Sequence, residues 1–432
     1  MAPRPSHLRI RSYNVGFGDC FLLTFSYPGR SQPRSVLIDF GSTMQSSSGP
    51  DGGMLEIAEK IREDCEGKLR MLVATHRHAD HISGFAGASG KVIASLEPDL
   101  VVQPWTEDPE IDPEATAPAG AGEGKQRARA MASRLSAMQS LAQMALSEVP
   151  RLEASGNITK TLATQIRFLG ETNLMNAEAV KNLASMGSRN AYVNFGTPLS
   201  LERLLPGVEA EVLGPPTLEQ SKAISHQAAT DEDEFWHFAE RDGNRARAGS
   251  GSPIFPKAPI ARTYPETARW VVPRIDNLHA EEVLAIVRTL DGVLNNTSVI
   301  LLFEVGGKLL LFPGDAQLEN WKYALHGSKD AEAIRKRLAD ADFYKVGHHG
   351  SLNATPKSLW NEFKHRDDDA GDPGRLKTMV STAAGKHGSD SRGTEVPRKV
   401  LIKELEGKSD LSNTQRLRSR KVFWNDVEFD FD

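Results

Sequence analysis

The chain predicts an α/β layered fold, and three observations carry that prediction. Short apolar strand patterns alternate with helical stretches along most of the sequence. Several strand patterns stop abruptly at Gly, Asp or His, the chemistry of turns at strand ends. The interruptions are two polar or Pro/Ala/Gly-rich segments, which read as insertions into one domain.

The elements follow in order. His7 to Val15 alternates apolar and polar residues, as a half-buried strand does. Gly16-Phe17-Gly18-Asp19 supplies a turn, Phe21 to Phe25 a second strand, and Ser35 to Asp39 a third that ends in Asp39-Phe40-Gly41. Met54 to Cys65 gathers Met, Leu, Ile and Ala on one face, which predicts a helix. Leu69 to Ala74 and Asp99 to Val102 are short apolar strands. Pro109 to Glu123 reads as a linker, Lys125 to Glu153 has helical periodicity, and Lys160 to Ala184 is mixed. Residues 106–188 are therefore expected to be a mostly helical insertion between a first half, 1–105, and a second half, 189–432. The basic residues of Lys125 to Arg134 form either a solvated helix face or a surface for nucleic acid or a protein regulator.

Strand patterns resume at Ala191 to Phe195 and Ala210 to Leu213. An irregular insertion at about 217–277 contains the acid run Asp231-Glu232-Asp233-Glu234 and the low-complexity Arg241 to Ser252. Leu278 to Leu290 reads as a helix, and Ser298 to Val305 with Lys308 to Phe312 as a hairpin about Gly306-Gly307. Trp321 to Ala339 is expected to be helical, Phe343 to Val346 and Thr378 to Thr382 strands, Val396 to Glu406 a helix, and Lys421 to Phe429 a last strand.

Bulk properties narrow the function classes. The 432 residues carry 52 Lys+Arg against 57 Asp+Glu, a net charge of −5, which excludes a protein held on nucleic acid by bulk charge but leaves room for a local patch. Two cysteines, Cys20 and Cys65, do not make a disulfide framework. Met1 to Arg11 lacks the apolar core of a signal peptide, and no run reaches the roughly 18 apolar residues of a membrane span. A cytoplasmic protein without a membrane partner is the expectation.

The chemistry concentrates in Thr75-His76-Arg77-His78-Ala79-Asp80-His81, directly after the apolar Leu69-Arg70-Met71-Leu72-Val73. Three imidazoles and a carboxylate at this density suit a transition-metal site better than a core. Asp315 and His348-His349 also fall just past apolar strands. Functional groups of α/β sheets gather outside strand carboxyl ends, so these distant residues are expected to converge. Together they offer ligands for two divalent ions, with one carboxylate able to bridge them. Asp39, after another strand, is either an outer partner that orients a ligand histidine or a turn residue. Lys345 either faces phosphate or is solvated.

The histidine run resembles the signature of the metallo-β-lactamase superfamily. Gly314-Asp315 is similar to its bridging aspartate, and Lys345-Val346-Gly347-His348-His349-Gly350-Ser351 to its late histidine motif. The late motif resembles most closely the hydrolase domain of bacterial DNA-uptake proteins, as do Val15-Gly16-Phe17-Gly18-Asp19-Cys20 and Leu37-Ile38-Asp39-Phe40-Gly41. The resemblance implies an αββα sandwich. It assigns His76 and His78 to one metal, Asp80 and His81 to the other, Asp315 to both, and His349 to a metal. It implies catalytic roles for Asp80, Asp315 and His348, the last touching substrate or protonating the leaving group. His387 is a further lining residue by the same resemblance. Where many members carry another ligand histidine, this chain has Asn295-Asn296-Thr297-Ser298. An Asn oxygen is harder and weaker than imidazole, which shifts the expected ion from Zn²⁺ toward Mn²⁺ or Mg²⁺. The expected function is a metal-dependent hydrolase, a phosphodiesterase or nuclease acting on DNA or RNA through a metal-bound hydroxide. The alternatives are a hydrolase of small phosphodiesters, carboxylic esters or lactams, and a metal-poor binding or regulatory module.

Overall fold

The structure is a computed structural model that describes residues 3–30, 32–108, 177–225, 293–353, 355–367, 369–385, 388 and 394–431, with a few isolated positions between 109 and 176. Most of the first expected insertion, the second beyond residue 225, the Leu278 to Leu290 helix, the Lys125 to Arg134 surface and His387 lie outside the described residues.

The chain runs β1 (His7–Tyr13), β2 (Cys20–Ser26), β3 (Arg34–Phe40), α1 (Gly53–Asp64), β4 (Met71–Val73), α2 (Ala79–Ile82), α3 (Gly87–Ala94), β5 (Leu100–Pro104), α4 (Ala177–Ser185), β6 (Asn190–Val193) and β7 (Val208–Gly214). It continues with β8 (Ile300–Val305), β9 (Lys308–Phe312), α5 (Leu318–Lys322), α6 (Ala331–Ala339), β10 (Phe343–Lys345), α7 (Lys357–Glu362), β11 (Lys377–Val380), α8 (Lys399–Lys408), β12 (Asp410–Asn413) and β13 (Trp424–Asp430).

These strands make two mixed sheets, ordered β13-β1-β2-β3-β4-β5-β6 and β12-β11-β10-β9-β8-β7. Each sheet is antiparallel on one side and parallel on the other. β13, β1, β2 and β3 pair antiparallel, then β3 to β6 parallel. β7, β8 and β9 pair antiparallel, then β9 to β12 parallel. The last strand returns to the first sheet, with Leu8 opposite Phe429.

The period-two alternation of strands sends neighbouring side chains to opposite faces. Phe21, Leu23, Val36 and Ile38 share one core with Leu301, Phe303, Leu310, Phe312 and Met379 of the second sheet. Leu22, Leu37 and Leu72 point the other way, onto Ile57 and Ile61 of α1, Ile93 of α3 and Leu183 of α4. Ile300, Leu302, Leu311 and Tyr344 cover Trp321 of α5, Leu338 of α6, Trp360 of α7 and Leu405 of α8. The layers are helix, sheet, sheet, helix. Each large side chain buried this way contributes about 1.5–3 kcal/mol, and burial on both faces explains why the parallel strands read as continuous apolar runs.

Three local differences from the sequence reading have physical causes. Trp321 to Ala339 is not one helix, because a π-helical turn over Tyr323–Gly327 and the extended Ser328 separate α5 from α6. β12 reads Asp-Leu-Ser-Asn, without apolar alternation, and exists through its parallel pairing with β11. The short helices α3 and α7 carry too few periodic residues to show in the sequence. Among the described residues no helix is long and apolar enough to cross a membrane. Cys20 and Cys65 are buried and unbridged.

Candidate metal centre

The carboxyl ends of β3 and β4 in one sheet, and of β9, β10 and β11 in the other, bring the candidate residues together. After β4 the chain stays extended through His78 and then enters the single turn of α2, where the amides of His81 and Ile82 donate to the His78 carbonyl at 2.9 and 3.0 Å. After β9, Gly314 adopts a φ of +56°, and a Cβ there would lie 2.8 Å from the Thr75 Cβ. Gly41 lets β3 approach α2, since its Cβ would lie 2.4 Å from the His81 amide nitrogen. Asp39, His348 and His349 all sit in the left-handed region, at φ 56°, 41° and 53°. Such backbone costs about 1–3 kcal/mol per residue and persists where the surroundings over-determine it, commonly at functional sites.

Asp39 is the clamp of the histidine run. Its carboxylate accepts from the Thr75 amide and hydroxyl, both at 2.7 Å, and lies 2.8 Å from His81 Nδ1. Holding Nδ1–H this way turns His81 Nε2 toward Asp315 Oδ2, 2.9 Å away. His349 is oriented likewise. Its Nδ1 faces the Ser381 carbonyl at 2.9 Å, and its Nε2 lies 3.3 Å from Asp80 Oδ2 and 3.4 Å from Asp315 Oδ2. One ligand atom each from Asp80, His81, Asp315 and His349 falls within 4.8 Å of the others, and all four residues are buried. His81 Nε2, Asp315 Oδ2 and His349 Nε2 nonetheless make no hydrogen bond, nor does Asp80 Oδ1, the oxygen beside the one that approaches His349. Buried polar atoms are almost always hydrogen-bonded. Close but misaligned donor atoms are expected where lone pairs converge on a shared point rather than on one another. These four residues can hold a metal ion.

The electrostatics agree. Asp19, Asp39, Asp80 and Asp315 are four buried carboxylates in one region. Burial pushes the Asp80 and Asp315 carboxyls up, but facing imidazoles, joined at Asp315 by Lys345, reverse the sign and hold both below the ordinary range. Burial pushes His81 and His349 down. Asp315 and Asp39 overcome it at His81, which lies well above its ordinary value. Asp315 and Asp19 overcome it at His349, which is pushed up to about 10. Asp39 is raised by burial, which His81 only partly offsets. In the metal-free chain, imidazolium charge thus balances the buried carboxylates, and a divalent cation supplies the same charge directly.

His76 and His78 are arranged differently. His76 Nε2 lies 2.9 Å from His78 Nδ1, and Thr75 Oγ1 lies 3.2 Å from His76 Nδ1. Burial, with His81 and His78 nearby, drives His76 well below its ordinary value, so it is neutral. The two asparagines separate. The Asn296 amide donates to Glu319 at 3.3 Å and accepts from Asn320 at 3.2 Å. Asn295 is fully buried with both amide atoms unbonded. This segment is tied to the histidine run by the Val299 amide, which donates to the Thr75 carbonyl at 2.9 Å.

His348 is the most exposed imidazole of the group, at 22 % of its side chain. Its amide donates to Asp315 Oδ1 at 3.1 Å, and its Nε2 stands 3.9 Å from Asp315 Oδ2. Lys345 is not solvated. It is buried, paired with Asp19, donates to the Gly314 carbonyl at 2.9 Å and lies 3.4 Å from Asp315 Oδ1. Burial lowers its affinity for a proton, but Asp19 and Asp315 more than restore it. The sequence reading missed Asp19, treating it as turn chemistry. Asp19 pairs with Lys345 and lies 3.4 Å from His349 Nδ1. Its sequence signal was an Asp beside Gly immediately before the apolar strand Cys20–Ser26. Ser381 gave no signal, since it acts through its backbone carbonyl.

No protein-family model matches the chain, and no curated protein matches it.

Proposed function

We propose that the chain is a metal-dependent hydrolase of the metallo-β-lactamase superfamily that cleaves phosphodiesters in DNA or RNA. The observation that carries this reading is the convergence of four buried ligand residues, Asp80, His81, Asp315 and His349, of which His81 Nε2, Asp315 Oδ2 and His349 Nε2 make no hydrogen bond. The helix-sheet-sheet-helix layering supports the family, because the signature residues fall at the strand ends where that sandwich would need them.

Asp80, His81, Asp315 and His349 would hold one divalent ion. His76, His78 and Asn295, sharing Asp315, would hold a second, and the mixed imidazole, carboxylate and amide donors suit Zn²⁺ or Mn²⁺, with Mg²⁺ admissible. Bound there, such ions supply a nucleophile at neutral pH and stabilise charge on the phosphoryl oxygens. The protein's own part is preorganisation. Asp39 fixes the ring of His81, and the Ser381 carbonyl fixes that of His349. His81, His349 and Lys345 together keep Asp315 ionised, and the half-buried His348 would pass a proton to a leaving oxygen.

The test is turnover of plasmid, linear and single-stranded DNA, RNA and bis-p-nitrophenyl phosphate by the purified protein with Mn²⁺ or Zn²⁺. Metal-dependent cleavage that is abolished by His76→Ala/Asp315→Ala is expected. Cleavage surviving that double change contradicts the mechanism. Turnover of bis-p-nitrophenyl phosphate without nucleic-acid cleavage moves the reading to small esters.

A further inference from the structure

A groove of about 910 Å³ opens between the loop after β11, the first half of α8 and the segment after β12. Its walls carry Lys399, Lys403, Arg416 and Arg418 against Glu395 and Glu406, and all four cations are exposed. The two acids differ in what they neutralise: one holds a cation outside the lining, the other holds a cation of the groove itself. Glu395 pairs with Arg398 at 3.0 Å and accepts from the Lys399 amide at 3.2 Å, while Glu406 pairs with Arg416. Lys403 has no acidic partner among the described residues. Among the described residues Arg418 donates to the backbone carbonyls of Gln415, at 2.7 Å, and Leu417, at 3.3 Å. The surplus is regional. Residues 396–421 hold eight Lys and Arg against three Asp and Glu, in a chain whose net charge is −5.

The groove adjoins the candidate metal centre. Val396 and Pro397 form part of its wall. The Arg398 amide donates to the Gly350 carbonyl at 2.8 Å, and a Cβ on Gly350 would lie 3.1 Å from the Pro397 Cβ. Gly350 follows His348-His349 directly.

We propose that this groove binds the sugar-phosphate backbone of a nucleic-acid strand and delivers it to the metal centre, a proposal that rests on the phosphodiesterase reading and names its substrate class. The cations come from two separate elements, α8 and the segment after β12, which suits successive phosphates better than one small anion. Arg presents a planar fork that matches phosphate oxygens. The apolar Val396, Pro397 and Ile402 offer a surface for sugars and base faces, which a purely electrostatic trap would not need. An acidic peptide is the competing occupant, and the test separates it.

The experiment is fluorescence anisotropy of the full chain with fluorescein-labelled phosphorothioate 20-mers of DNA and RNA, so that binding is read without cleavage. Three single-strand phosphate contacts, from Lys399, Lys403 and Arg418, predict a log–log salt slope of about −2.1, or roughly twenty-fold weaker binding between 50 and 200 mM salt. Lys403→Ala/Arg416→Ala/Arg418→Ala should flatten the slope to about −0.7, or roughly threefold over the same range. Lys403→Arg/Arg416→Lys/Arg418→Lys should keep the wild-type slope, which separates lost charge from a lost fold. DNA and RNA should respond alike, since the backbone is what is held. An unchanged slope in the alanine variant overturns the proposal, as does displacement of the 20-mers by poly-glutamate as readily as by unlabelled oligonucleotide. If the 20-mers bind through these residues but no phosphodiester is cleaved, the groove stands and the hydrolytic reading falls. If nucleic acid is cleaved and the alanine variant binds as wild type does, the reverse holds.

Discussion

The two halves of the candidate centre are built from the same seven-residue run but differ in kind. Asp80 and His81 join Asp315 and His349 in a buried, charged cluster in which His81 Nε2, Asp315 Oδ2 and His349 Nε2 are unbonded. His76 and His78 instead face each other at 2.9 Å, with His76 held neutral and an asparagine in the neighbouring segment. The first half has negative charge that a cation relieves. The second offers neutral donors to an ion that must bring its own reason to stay. Unequal affinity follows from this difference, with the Asp80/His81 side the tighter, and each prediction below breaks or sharpens that contrast.

The largest effect belongs to Asp315, the carboxylate both halves share. Asp315→Asn should abolish metal-dependent turnover and lower metal content at both positions, by more than the roughly 10–100-fold expected for an outer partner. Elemental analysis after dialysis against limiting chelator reads it. Asp39→Asn should act on one half only. Loss of the charged clamp on His81 Nδ1 should weaken the tight position about 10–100-fold while leaving the His76/His78 position in place. Equal loss at both would erase the contrast.

Asn295→Ala should do the converse, removing the weaker ion with a smaller change in affinity, about tenfold or less. Asn295→Asp should tighten it, since it adds the charge this half lacks. The smallest effect is on the metal-free chain. His349 is pushed up to about 10, so it stabilises the fold fully below its unfolded value of about 6.5 and loses that contribution as pH rises toward 10. The Tm of the chelator-treated protein should therefore fall between pH 6.5 and 10, and His349→Gln should flatten that fall.

How much of this was legible in the sequence follows from the range of the interactions. The histidine run was readable because its donors lie within six residues of one another. The strands were readable because both faces of each sheet are covered and their apolar content is dense. Asp19 was not, because its importance comes from Lys345 and His349, more than 300 residues away. The solvated reading of Lys345 failed for the same reason, because the carboxylates that bury it, Asp19 and Asp315, are far away in the sequence. Asn295 and Asn296 were indistinguishable until α5 engaged one and left the other. The groove was invisible in a net charge of −5, because its surplus of cations is local.

The central claim is that Asp80, His81, Asp315 and His349 hold a metal ion, and calorimetric titration of the metal-free chain with Zn²⁺ or Mn²⁺ tests it most directly. The account predicts two ions bound with unequal affinity, the tighter lost in His349→Ala and kept in His76→Ala. A tight ion that survives His349→Ala, or vanishes in His76→Ala alone, would contradict it.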